Sequence, residues 1–129
     1  MAGIYIHIPF CKQACLYCNF HFSTSLRLRN EFIDALLKEI ALTEVFTPFP
    51  DIESVYFGGG TPSLLLPEEL AMIFDALLKK FTLPQHDEIT LEANPDDISI
   101  DKLVAWRNLG INRLSIGVQS FFDEDLRWM

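Results

Sequence analysis

The sequence predicts an α/β protein built on a parallel sheet, assembled from four strand–helix units in series. Three observations predict it. Short runs with apolar residues at every second position are separated by longer runs with apolar residues every three or four positions. The two kinds of run alternate along the chain, which implies parallel strands joined by helical crossovers. Each strand-like run also ends in a stretch of unusual composition, at the sheet edge where α/β proteins carry their chemistry.

The elements follow in order. "GIYIHI" (3–8) alternates Ile4, Ile6 and Ile8 with Tyr5 and His7, a strand pattern. From Asn30 to Phe46 the apolar positions Phe32, Ile33, Leu36, Leu37, Ile40 and Ala41 recur at helical spacing. "TPFPD" (47–51) breaks that helix. "ESVYF" (53–57) is a short β-rich run ending at three glycines. "PEELAMIFDALLKKF" (67–81) is amphipathic, with Pro67 suited to a first helical position. "EITLE" (88–92) sets Ile89 and Leu91 against Thr90 and Glu92. "DKLVAWRNLG" (101–110) is a third helix that Gly110 can terminate. "NRLSIGVQ" (112–119) alternates again, which places Gln119 at the end of a fourth strand, and "DEDLRWM" begins a fourth helix.

The chain has 129 residues, suited to one domain, and half of them are hydrophobic, so a packed core is expected. No apolar run reaches the roughly 18 residues of a transmembrane helix. "MAGIYIHIPF" lacks the pattern of a secretory leader. A soluble cytoplasmic protein without stable membrane insertion is the expectation. Net charge is −8, the opposite of a nucleic-acid binder's balance. Residues 1 to 30 nevertheless hold no Asp or Glu, only Lys12, Arg27 and Arg29, as if this segment faced something anionic.

All three cysteines stand at 11, 15 and 18. An odd count without an export signal favours metal or redox chemistry over a disulfide framework. Thiolates suit zinc, copper(I) or iron–sulfur clusters. Structural zinc takes four protein ligands, and His21 follows Cys18 at a ligand-like spacing, so a Cys3His site is one reading. Cys15-Leu16-Tyr17-Cys18 as a redox pair is another, but no helix signal follows it. A 4Fe–4S cube held by three cysteines keeps one corner open, as a ligand-binding site requires.

Cys11-x3-Cys15-x2-Cys18, with Tyr17 before the last cysteine, resembles the signature of radical S-adenosylmethionine (SAM) enzymes. "YIHIPFC", "GGGTP", "EANP" and "SIGVQSF" follow the order of one branch of that superfamily. It is the branch of oxygen-independent coproporphyrinogen III oxidase and the heme chaperone HemW, and the resemblance covers essentially the whole chain. It implies a partial (β/α) TIM-like barrel of the radical SAM type, of which about four βα units are present. It implies a 4Fe–4S cluster on Cys11, Cys15 and Cys18, with SAM on the open iron. Enzymes of that superfamily use an electron from the cluster to cleave SAM to a 5′-deoxyadenosyl radical, and the resemblance implies that chemistry for a longer protein. Gly59, Gly60 and Thr61 are implied SAM contacts, as are Tyr5, Tyr17 on the adenine side, Glu92 and Gln119. Three glycines also let backbone and its N–H groups approach a ligand closely. Glu92 shares a strand face with Thr90, inside a barrel, where a cationic ligand would balance its charge. His7 fits the family pattern without an assigned chemistry.

Two departures matter. The oxidase carries a further cysteine where this chain has Phe20, and it has an N-terminal extension, whereas the first strand here starts at residue 3. Both point toward the heme chaperone, which is not an oxidase of coproporphyrinogen. The chain is also short for a full barrel, which takes about 250 residues. It therefore reads as the N-terminal part of a radical SAM core domain, with the C-terminal domain and a SAM-holding arginine beyond Met129 and no such role for Arg127. The expected consequences are an unpaired edge on the fourth strand, weak cluster binding and no turnover. Heme or porphyrin and an unidentified electron donor are the implied partners of a longer protein.

Overall fold

The computed structural model describes residues 2–44, 52–83 and 88–129. Four strands, β1 (Gly3–Ile8), β2 (Ser54–Gly59), β3 (Glu88–Ala93) and β4 (Arg113–Ile116), form one sheet in the order β1-β2-β3-β4. Every pairing is parallel. Helices α1 (Arg29–Leu42), α2 (Pro67–Lys80) and α3 (Ile100–Asn108) connect the strands, and α4 (Asp123–Trp128) follows β4. Single 3-10 turns at Pro62–Leu64 and Pro95–Asp97 follow β2 and β3. The predicted four-unit α/β architecture is the observed one.

Strand alternation splits the sheet into two unlike faces. Ile6, Ile8, Val55, Phe57, Leu91 and Ala93 point to one side and are all buried. They form one core with Ile33 and Ile40 of α1, Leu70, Ile73, Phe74 and Leu77 of α2, and Trp106 of α3. Burying each large apolar side chain contributes about 1.5–3 kcal/mol. The Phe57 and Phe74 rings meet at 5.3 Å between centroids. The other face carries Tyr5, His7, Tyr56, Thr90, Glu92, Arg113 and Ser115, by the register that aligns Tyr5 with Tyr56, Tyr56 with Thr90, Thr90 with Arg113 and Glu92 with Ser115.

Local chemistry sets the helix ends. Pro67 occupies the first turn of α2, and Glu69 Oε2 accepts the Leu66 backbone N–H at 2.7 Å. Glu69 also meets Arg29 Nε at 2.9 Å, tying α2 to the start of α1. Ser99 caps α3 by accepting the Lys102 N–H. Gly110, at φ +99°, ends it as expected, in a conformation that glycine adopts without strain.

Four boundaries differ from the sequence reading by two residues or more. Helix α1 stops at Leu42 rather than Phe46, and the "TPFPD" breaker lies outside the described residues. Strand β2 runs on through Gly58 and Gly59, because both still pair with β1. Helix α3 ends at Asn108, not Gly110. Strand β4 ends at Ile116, so Gln119 is not a strand residue. The cause is local: the Val118 N–H turns back to the Ile116 carbonyl, and Pro95 after β3 has no N–H to extend the ladder.

Candidate functional site

The cysteine loop leaves β1 at Pro9 and rests on the glycine loop that leaves β2. The Gly60 N–H donates to the Ile8 carbonyl at 2.7 Å, and the Thr61 N–H to the Phe10 carbonyl at 2.6 Å. No side chain fits between the two loops. A Cβ on Gly60 would lie 2.6 Å from the Phe10 carbonyl oxygen and 2.9 Å from Cys11 Sγ. Gly59, at φ +111°, would drive a Cβ to within 2.7 Å of the His7 ring.

Cys11, Cys15 and Cys18 are free thiols, each half-buried on this loop. The Cys18 N–H donates to the Cys15 carbonyl, closing a tight turn over Leu16 and Tyr17. Burial pushes the Cys11 thiol up, the Thr61 hydroxyl that bonds it pulls it down, and Cys18 and Cys15 push it up further. Three soft donors on one loop, against a cradle that a single Cβ would fill, fit a cluster. Among the described residues, no three or more His, Cys, Asp or Glu side chains gather as ligands of one metal ion. His21 is exposed.

A second set of contacts locks the loop to β3. Lys12 Nζ bonds Asp96 Oδ2 at 2.7 Å and also meets Asp97 Oδ1. Asp97 is buried, and Ser63 Oγ donates to its other oxygen at 2.7 Å. The bond to Asp96, and then that to Asp97, raises the Lys12 pKa, and the bond to Lys12 lowers that of Asp96. Two of the three cations in the acid-free first 30 residues, Lys12 and Arg29, are thus taken by the chain's own carboxylates.

The open face of the sheet supplies the rest. Glu92 is half-buried and accepts twice: from the Tyr56 hydroxyl at 2.7 Å and from the Gly59 N–H at 3.1 Å. Tyr5 stacks on Tyr56, with centroids 5.9 Å apart and planes at 22°, and its hydroxyl lies 3.3 Å from His7 Nδ1. Burial and then the Glu92 charge push the Tyr5 phenol up. Tyr17 is exposed over about half its surface; partial burial and then the neighbouring Cys15 push its phenol up.

The structure sets Gly60 and Thr61 against the start of the cysteine loop at Phe10 and Cys11, bonds Gly59 to Glu92, and leaves Tyr5 on the same open face, stacked on Tyr56. Tyr17 stays with the cysteine loop, while Gln119 is exposed beyond β4. The expectation that the glycine-loop amides are free for a ligand is not met. Gly59, Gly60 and Thr61 each donate within the chain, so the loop offers bare backbone surface instead. Sequence reasoning missed Tyr56, Ser63 and Asp97. Tyr56 had a signal: in "VYFG" it alternates with Val55 and Phe57, on the face of Gly58.

A parallel sheet with three thiols and a glycine loop at one rim defines a class. The chain belongs to the Radical SAM superfamily, whose family model matches residues 5–129. Membership implies, in general terms, a 4Fe–4S cluster and SAM. Within it, the chain resembles the heme chaperone HemW of Bacillus subtilis, 40% identical over 127 residues, 96% of this chain and 33% of that protein. It is 38% identical over 125 residues to the oxygen-independent coproporphyrinogen III oxidase of Bradyrhizobium diazoefficiens, 93% of this chain and 27% of that one. The solved coproporphyrinogen III oxidase HemN of Escherichia coli, described as a radical SAM enzyme, superposes with a TM-score of 0.86 at 31% identity, covering 98% of this chain and 30% of that one. The chain spans about a third of the length of the curated relatives it matches. No helix among the described residues is long and apolar enough to cross a membrane.

Proposed function

We propose that this chain is the cluster- and SAM-binding part of a HemW-like heme chaperone, and that residues 1–129 are the N-terminal part of a longer radical SAM core. The observation that carries the reading is the seating of the cysteine loop: Cys11 lies against the side-chain-free surface of Gly60, and the Thr61 N–H is bonded to the Phe10 carbonyl just before it. Cys11, Cys15 and Cys18 would hold the cluster. Tyr5, Tyr17, Gly59, Gly60, Thr61, Glu92 and Gln119 would contact SAM. When bound, the cluster and SAM supply reductive cleavage chemistry. The chain's own residues do the holding. Burial raises the Cys11 pKa overall, and Thr61 offsets part of that rise, toward the thiolate a metal needs. Glu92 offers a fixed carboxylate to a cationic ligand. Phe20, in place of the oxidase's additional cysteine, favours the chaperone. The fold match to HemN supports a second reading, the oxidase itself. Heme or porphyrin would then be met by parts of a longer protein.

Anaerobic reconstitution with iron and sulfide, read by EPR with and without SAM, tests the core of this. The expected result is a reduced 4Fe–4S signal that shifts with SAM and is lost in Cys15→Ala but kept in His21→Ala. Stoichiometric zinc that is lost in His21→Ala would replace this reading with a Cys3His binding module. The oxidase reading requires decarboxylation of coproporphyrinogen III, and none is expected.

A further inference from the structure

We propose that Tyr56 is a positioning residue for Glu92, setting the carboxylate that would receive the cationic part of SAM; the inference rests on the SAM-binding reading above. Tyr56 is not core filling, since it lies on the open face and is half-buried. It pairs in register with Thr90, so Glu92 is its diagonal neighbour, within reach of a long side chain. Its hydroxyl donates to Glu92 Oε1 at 2.7 Å, while the Gly59 N–H holds Oε2 at 3.1 Å. Each carboxylate oxygen thus has one fixed donor, from two points on the neighbouring strand β2. An ionised carboxylate has about four acceptor positions, so about two stay free for a ligand.

The direction of the Tyr56 proton is also determined. A carboxylate accepts and does not donate, so the 2.7 Å bond runs from the Tyr56 hydroxyl to Glu92 Oε1. The phenol's own proton is thereby committed to Glu92. The ring cannot swing away freely. It is stacked on Tyr5, and both rings close over Gly58, where a Cβ would lie 2.8 Å from the Tyr56 edge and 2.9 Å from Tyr5. A lone glutamate on an open sheet face samples several rotamers, and this arrangement selects one before any ligand arrives.

The test uses Tyr56→Phe, which keeps the stacked ring and removes only the hydroxyl, beside Glu92→Gln and the double variant. SAM affinity is read from the EPR shift of the reconstituted protein. Gly59 amide exchange is read in cluster-free protein, independently of loading. Tyr56→Phe should weaken SAM binding by about tenfold at unchanged iron content. It should also speed Gly59 amide exchange, and the double variant should bind no more weakly than Glu92→Gln alone. Wild-type SAM affinity in Tyr56→Phe, with Glu92→Gln weakened, would overturn this inference and leave the SAM reading intact. So would losses that multiply in the double variant, since Tyr56 would then act apart from Glu92. Unchanged affinity in Glu92→Gln would remove the role of Glu92 and the inference with it.

Discussion

The two faces of this sheet are made from the same four strands, residue by residue in alternation, yet they are held by different physics. On the helix side Ile8, Val55, Phe57 and Leu91 are at most 1% exposed, and cohesion is close packing. On the open side Tyr5 is 59% exposed, and cohesion is a short list of directed bonds among Tyr5, His7, Tyr56, Glu92 and Gly59. The packed face tolerates no lost volume. The open face tolerates changes in stability terms but not in geometry.

That contrast is broken most directly from the packed side. Phe57→Ala removes a fully buried ring against Phe74 and should cost about 3–5 kcal/mol, read as a lowered urea midpoint. A loss under about 1 kcal/mol would mean the helices repack freely. Next comes the rim where the faces meet. Gly60→Ala sets a methyl against the Phe10 carbonyl and Cys11 Sγ, so it should cost about 1–3 kcal/mol and also abolish iron loading. Full loading at reduced stability would separate the loop seat from the thiols.

Lys12→Met should cost about 1–3 kcal/mol by leaving the buried Asp97 with Ser63 as its remaining partner. Its pH dependence has a definite sign. The Asp96 carboxyl is lowered in the folded state, so its contribution is present above about pH 4 and fades as pH falls through the lowered value. The Lys12 ammonium is raised, so its contribution is present below about pH 10 and fades above. The difference between wild type and variant should therefore be flat across neutral pH and close at both extremes. Smallest of all, Arg113→Ala breaks an exposed pair with Glu88 and should change stability by under about 1 kcal/mol, less still at high salt.

The packed face was legible in the sequence because period-two alternation of Ile4, Ile6 and Ile8, or of Ile89 and Leu91, is itself the signal of a buried side. The cysteine loop and glycine loop were legible because thiols and consecutive glycines are rare enough to stand out. Other features were not. The end of β4 depends on a turn at Val118 and on Pro95 in the 3-10 turn after β3, which alternation through Gln119 could not report. Helix α1 was read four residues too long because its apolar spacing continues past Leu42. Tyr56 and Asp97 acquire their roles from partners that are remote in sequence; Tyr56 and Glu92 are 36 positions apart. The glycine-loop amides were misread for a related reason, since their acceptors at Ile8 and Phe10 come from another unit.

The tie from Lys12 to Asp96 spans 84 positions, and this has a consequence for synthesis on the ribosome. At about 5–20 residues per second, the thiols emerge on the order of 4–17 s before the carboxylates that fasten their loop. The glycine loop also follows them, by tens of residues. During that interval three nucleophilic sulfurs are attached to a nascent segment with neither seat nor anchor. The order of translation thus places the most oxidisable residues first and their restraints last, so metal loading that waits for β3 would act on a finished rim.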